Sequence, residues 1–307
     1  MILLPDIARI LGFIAAGFQY LSPVNFITLT TDFSLGDWFA GTMKGVILGI
    51  APDAAIVDIT HEIPPGDIRT GAFALAVSRR FFPKGTVHVC VVDPGVGSAR
   101  KGIAAQTDNG FFVGPDNGVL SWALALENIR SIRQLENERY FLRPVSRTFH
   151  GRDIFAPVGA HLSRGLPIRK LGPPVEEFVR LSRPQPRQTS NTIHGEVVYI
   201  DRFGNCITNI PNDIFRGIVA RTALSAGSRS PNRTDKGVRT PRADSWAVFT
   251  KGKPICPVAP SYQSVRMGLP VAVPGSSGFL EIAVNGSSAA RRLGLKVGGP
   301  VEVRARR

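Results

Sequence analysis

Five short stretches of this chain set polar or titratable side chains in apolar, glycine-rich surroundings. TTDFSLGD carries Asp32 and Asp37, and VVDPGVGSARKG carries Asp93 and Arg100 around a Pro-Gly turn. FHGRDIFAP carries His150 beside a glycine, DRFGNCITNI carries Phe203 and Asn205, and GSSGFLEIAVNG carries a Gly/Ser loop followed by Glu281 and Asn285. These residue types suit polar chemistry that needs no metal. A histidine with a pKa near ~6.5 can take a proton at neutral pH, whereas an aspartate near ~3.9 is a poor lone base but can orient a partner. An arginine stays charged and stabilises a developing anion.

Other chemistries lack their signatures. There is no GxxxxGK[ST] phosphate loop, and Gly95-Val-Gly97 begins like a dinucleotide fingerprint without its third glycine. No HExxH occurs, and His61, His88, His150, His161 and His194 show no metal-ligand spacing. The sequence therefore predicts neither a metal nor a separate cofactor. Taken singly, each polar residue also has a plainer explanation. Asp32 could cap the helix that follows it, Asp93-Pro-Gly is an ordinary turn, and a lone histidine is more often structural than catalytic.

The elements that must position these residues follow from hydrophobic periodicity. Phe26–Thr31, Ala55–Ile59 and Gly85–Asp93 read as strands, alternating with helical patterns over Asp37–Ile50 and Asp67–Phe81. That order predicts an α/β domain with a largely parallel sheet and flanking helices. In such sheets ligands collect beyond the carboxyl ends of the strands, where Asp32 and Asp93 fall. Gly102–Gln106 and Gly110–Gly114 add strands, and Val119–Leu126 a short helix. Past Pro184 the texture changes to short strands at Gly195–Ile200, Asn205–Ile210, Gly278–Ala283 and Pro300–Arg304. These predict a smaller all-β, barrel-like domain. The expected layout is an extension over 1–24, an α/β domain over 25–183 and a barrel-like domain over 195–307. The Pro-rich run RLSRPQPRQTSN links the two domains.

The net charge of +14 raises the question of a polyanion partner. Its distribution argues against one: residues 1–150 hold 13 basic and 13 acidic side chains, and residues 151–307 hold 24 and 10. Much of the excess lies in Arg221–Lys253, a Ser/Pro/Gly/Thr-rich stretch without apolar periodicity, which reads as a solvated, flexible basic insertion near 221–260. The apolar N-terminal segment has only Asp6 and Arg9 as charges, is too interrupted for a membrane span and lacks the basic start of a secretory signal. Three scattered cysteines form no CxxC pair and fit a cytoplasmic setting.

Taken together, seven ordered blocks resemble a known family: TTDFSLGDWFAGTMKGVI, IVDITHEIPPGDIRTGAFAL, FPKGTVHVCVVDPGVGSAR, FVGPDNGVL, FHGRDIFAP, YIDRFGNCITNI and GSSGFLEIAVNGSSAARRLGLKVG. They are similar to the S-adenosylmethionine hydroxide adenosyltransferases, relatives of the enzymes that chlorinate or fluorinate S-adenosylmethionine. The resemblance implies hydrolysis of that substrate to adenosine and methionine. It would place a water-activating triad on Asp93, Arg100 and His150, which the halogenating relatives lack. It further implies ribose binding by Asp32, ammonium binding by Asp37 and adenine binding by Phe203 and Asn205. Ser276, Glu281 and the backbone around Val284 would complete the nucleoside and methionine contacts. Ser277 stands where the halogenating relatives carry an arginine. A homotrimer with sites between subunits is implied as well. Two other classes remain as alternatives, a non-catalytic adenosine- or S-adenosylmethionine-binding module and a S-adenosylmethionine-dependent halogenase. A nucleic-acid-binding protein would need binding that depends on the 221–253 stretch and weakens steeply with salt.

Overall fold

The computed structural model describes residues 25–189, 191–215 and 246–305. The N-terminal segment and most of the basic stretch lie outside the described residues. The chain divides into two units after Arg180.

The first unit is an α/β layer structure. Strands β1 (Phe26–Thr31), β2 (Ala55–Thr60), β3 (Thr86–Val91), β4 (Gly102–Thr107), β5 (Gly110–Pro115) and β6 (Ile129–Gln134) form one sheet in the order β2-β1-β3-β5-β4-β6. The first four positions in that order are parallel, and β4 runs antiparallel to both its neighbours. β3 (TVHVCV) is buried at every residue, as an interior parallel strand covered on both faces must be. Helix α1 (Phe39–Ile50) buries Ala40, Met43 and Ile47, the inward side of its helical repeat. With α4 (Ala156–Ser163) it encloses a core of Ile27, Leu29, Val87, Val89, Phe155 and Val158. Helix α2 (Ile68–Ser78) starts at Asp67, whose carboxylate accepts from the Thr70 amide at 3.0 Å. A short α3 (Ser121–Leu124) follows β5. The sequence reading did not anticipate β6 or α4. APVGAHLS carries Gly159 and the β-branched Val158 in its interior, which lower its helical propensity, and burial of six of its eight residues holds it helical.

The second unit is a nearly closed antiparallel barrel. Its path is β11-β10-β14-β8-β9-β13-β12, made of β8 (Thr192–Ile200), β9 (Cys206–Pro211), β10 (Trp246–Thr250), β11 (Lys253–Pro257), β12 (Pro270–Pro274), β13 (Phe279–Val284) and β14 (Pro300–Ala305). A two-residue β7 (Arg187–Gln188) adds to β8. The two ends of the path meet where Val258 bridges Ala272 and the Ala259 amide donates to the Ala272 carbonyl at 2.8 Å. The interior is filled by Ile193, Val197, Ile210, Val248, Leu280, Ile282 and Val303. A single turn, α5 (Ala289–Leu293), is capped by Ser288 and closed by Gly294 in the left-handed region at φ 64°. One expectation is corrected here. Residues 246–257, assigned from sequence to the flexible insertion, form β10 and β11. They bury Ala247, Val248 and Cys256 without a regular alternation, and the adjoining Ser/Pro/Gly-rich run masks them in sequence. Among the described residues, no helix is long and apolar enough to cross a membrane.

Candidate active site

β1 and β3 are neighbours, and the chain leaves them in opposite directions across the sheet, from β1 to β2 and from β3 to β4 beyond β5. That divergence opens a crevice at the carboxyl edge of the sheet. The register pairs Thr31 with Val91, so Asp32 and Asp93 leave adjacent strand tips together. A cavity of about 280 Å³ lies there, lined by Asp32, Phe33, Phe39, Val91, Asp93, Val96 and the Thr148–Gly151 segment, which includes His150.

Three of the sequence-derived residues form one hydrogen-bonded chain, whose ends Asp93 and His150 line the cavity. Arg100 Nε donates to both oxygens of Asp93 at 2.9 Å, and its Nη2 also donates to Asp93 Oδ2. The same Nη2 lies 2.8 Å from His150 Nδ1. A guanidinium can only donate, so Nδ1 of His150 carries no proton in this arrangement. Burial and the Arg100 charge both lower the His150 pKa below its ordinary value; the carboxylates of Asp93 and Asp153 oppose this. His150 is thus held neutral, with its Nδ1 lone pair already engaged.

Local sequence explains how fifty residues of separation collapse to hydrogen-bond distance. After Asp93 the Pro-Gly-Val-Gly turn brings Gly97 to φ 77°, and a Cβ there would stand 2.3 Å from the Arg147 carbonyl oxygen. Only glycine allows that approach of the 93–100 loop to the segment before His150. On the other side, the buried carboxylate of Asp153 accepts from the Ser146 amide at 2.8 Å and from Arg152 Nε at 2.5 Å. Burial alone would raise the Asp153 pKa, but the Arg152 and Ser146 bonds outweigh it and hold it low. His150 itself opens a π-helical turn, Gly151–Phe155. Gly151 packs so closely on Phe33 and Met43 that a Cβ would meet them at 3.2–3.3 Å.

Asp32 is fixed differently. Its Oδ2 accepts from the Gly66 amide at 2.8 Å, while burial, aided by the Asp93 charge, raises its pKa. The corner around it is clamped by a network the sequence reading missed. His61, fully buried, sets Nδ1 2.8 Å from Thr31 Oγ1 and faces Nε2 to Asp58 at 3.0 Å, and Asp58 pairs with Lys44 at 2.5 Å. Thr31 Oγ1 in turn accepts from the Phe33 amide at 3.2 Å. The signal was present as THEIPPG, but a single buried histidine has no periodic signature. Phe33, Phe39 and Phe149 were also unforeseen as cavity walls; their rings pack mutually at 5.1–5.9 Å between centroids. Asp37 is exposed before α1 and does not line this cavity.

The remaining residues lie on the second unit. Asn205 closes the β8–β9 turn: its amide donates to Asp201 Oδ1 at 2.8 Å and its Nδ2 to Asp201 Oδ2 at 3.0 Å. Phe203, at the tip, is 79% exposed. Glu281 is buried on β13 and accepts from the Tyr262 hydroxyl at 2.5 Å; burial raises its pKa, and the Asp201 charge adds to that. Ser276 is exposed in the turn before β13, Val284 is buried at the end of β13, and Ser277 Oγ is buried without a hydrogen-bond partner. Asp201 and Tyr262 were not singled out from sequence. Asp201 was legible in the Asp-x-x-Gly-Asn turn, whereas Tyr262 meets Glu281 only through the tertiary fold. Among the described residues no group of three or more His, Cys, Asp or Glu side chains could hold a metal ion.

The two units correspond to two family models, the SAM hydroxide adenosyltransferase N-terminal domain over residues 27–172 and its C-terminal domain over residues 195–302. The chain belongs to the SAM hydroxide adenosyltransferase family. It is 37% identical to the (R)-S-adenosyl-L-methionine hydrolase of Salinispora tropica, over 93% of this chain and 100% of that protein. The fluorinase of Actinoplanes sp. is more distant, at 28% identity over 90% of this chain and 96% of its own length. The crystal structure of an uncharacterized conserved protein from Thermotoga maritima matches with a TM-score of 0.79 at 38% identity, covering 91% of this chain and 99% of that one.

Proposed function

We propose that this protein hydrolyses S-adenosyl-L-methionine to adenosine and L-methionine, by attack of water on the 5′ carbon. The carrying observation is the Asp93–Arg100–His150 hydrogen-bonded chain, whose two ends line the cavity. The water oxygen bonds to C5′, and the C5′–S electron pair returns to sulfur, discharging the sulfonium. Because the leaving group is already cationic, the difficulty lies with the nucleophile. Water has a pKa near ~15.7, but it becomes strongly acidic as its oxygen bonds to carbon, so a carboxylate suffices as acceptor. Asp93 fits that role, since the Nδ1 lone pair of His150 is engaged by Arg100. Arg100 holds the Asp93 carboxylate in position to accept the water proton, and neutral His150 fixes the guanidinium. Asp32 receives the ribose diol and Asp37 the methionine ammonium group. Phe203 stacks on adenine and Asn205 hydrogen-bonds its edge, with Ser276, Glu281 and the Val284 backbone completing the contacts.

The Salinispora relative is named for the R form, so the sulfur epimer with R configuration is the preferred substrate in this reading. We expect a cytoplasmic homotrimer with sites shared between neighbouring subunits. The test is product analysis with each sulfur epimer in ¹⁸O-water, with and without excess chloride. Adenosine bearing ¹⁸O at C5′ is expected. A 5′-chloro nucleoside would move the chain to the halogenating branch, and bound adenosine without turnover would make it a binding module.

A further inference from the structure

The Asp201–Asn205 turn carries more information than a closed hairpin. A carboxylate only accepts hydrogen bonds, and both oxygens of Asp201 are used: Oδ1 by the Asn205 main-chain N–H at 2.8 Å and Oδ2 by Asn205 Nδ2 at 3.0 Å. The side-chain amide of Asn205 therefore has one allowed orientation. Its NH₂ turns to Asp201, leaving the carbonyl Oδ1 and one remaining N–H to face outward. The turn itself is held by the Asp201 amide donating to the Asn205 carbonyl at 3.0 Å and by the Gly204 amide donating to the Asp201 carbonyl at 2.9 Å. Gly204, at φ 83°, is buried so closely on Ser288 that a Cβ would stand 2.1 Å from its Oγ. The amide is thus mounted on a rigid corner.

We infer that Asp201 is a specificity-determining residue, which locks the Asn205 amide so that the site accepts a 6-aminopurine nucleoside and rejects its 6-oxo counterpart. The inference rests on the reading that Asn205 meets the adenine edge. An outward Oδ1 beside an outward N–H complements the exocyclic amine of adenine and its neighbouring ring nitrogen. Hypoxanthine presents a carbonyl in place of that amine, which sets oxygen against oxygen. Asp201 touches no base in this scheme; it acts through Asn205.

Asp201→Asn separates this role from a structural one. The main-chain N–H of Asn205 still needs an oxygen, so the substituted amide turns its carbonyl there and its NH₂ toward the Asn205 side chain. Asn205 must then flip to offer Oδ1, and the outward pattern reverses. The measurement is the dissociation constant of adenosine and of inosine, by calorimetry on the full-length protein. A site built to hydrogen-bond one partner rejects the mismatched analogue strongly, so wild type is expected to prefer adenosine by at least about 100-fold. In Asp201→Asn that ratio should fall at least tenfold. Asp201→Ser, which removes the lock without imposing a flip, should also lower the ratio and serves if the first variant does not fold. If both nucleosides weaken equally and the ratio is unchanged, Asp201 is structural only and the inference is wrong. Asn205→Ala separates that failure from failure of the underlying reading: unchanged adenosine affinity in that variant would remove the adenine contact itself.

Discussion

Arg100 is the hub of the candidate site because it spends one face of its guanidinium on Asp93 and shares Nη2 with His150. Asp93→Ala, Arg100→Ala and His150→Ala should each lower turnover at least tenfold with little change in substrate affinity, read from steady-state kinetics beside direct binding. Full activity in all three would sink the triad assignment. The charge state of His150 adds a pH dependence whose sign is set by geometry. The Arg100 bond needs neutral His150, and burial with the Arg100 charge holds the His150 pKa below about 6.5. Protonation would place two cations together and break that bond. Turnover should decline as pH falls, with its midpoint on the acid side of the ordinary histidine value. A rate that already halves near the ordinary histidine pKa would contradict the hydrogen bond.

At the scale of elements, the site is two loops pressed together. The turn after β3 and the segment before α4 meet where Gly97 lies under the Arg147 carbonyl. Gly97→Ala forces a Cβ into that contact at a positive φ, so the loops must separate. Stability should fall by about 1–3 kcal/mol in urea unfolding, and turnover should fall further than that loss explains at temperatures where the variant is folded. Normal turnover in a folded Gly97→Ala protein would show that another contact sets the Arg100–His150 distance. The π-helical turn after His150 and the Asp153 clamp on Ser146 supply the opposing wall, so neither loop is free to drift alone.

At the scale of the molecule, the first unit carries an acid liability in its core. His88 is buried in β3, bonded to Thr28 Oγ1 at 2.8 Å and stacked on Phe112 at 5.0 Å between centroids. Burial, with a smaller contribution from Arg79, depresses its pKa to about 4. The folded state therefore stays unprotonated where the unfolded chain, titrating near ~6.5, binds a proton. Stability from this group is complete above the unfolded value. It declines as pH falls toward 4, by about 3 kcal/mol in total. Urea unfolding at pH 7 and pH 4.5 should show this loss, and His88→Gln should flatten the slope. An identical slope in that variant would assign the acid sensitivity elsewhere.

Much of this is legible in the amino-acid sequence. The alternation of apolar runs at strand and helix periods located β1, β2, β3, α1 and α2 to within a few residues, because those elements repeat their burial along the chain. The change to short strands after Pro184 indicated the barrel for the same reason. Asp32, Asp93 and His150 stood out as polar residues in apolar, glycine-rich blocks, and the cavity brings all three together. What the chain could not display were relations between distant residues. That His61 clamps Thr31, that Tyr262 meets Glu281 and that Nη2 of Arg100 reaches Nδ1 of His150 depend on strand order and on side-chain contacts across it. Helix α4 was hidden similarly, because its short, Gly- and Pro-bearing segment takes its form from the neighbours that bury it, and β10 and β11 because they adjoin the Ser/Pro/Gly-rich run. Local periodicity records which face of an element is buried; only the tertiary fold decides against what.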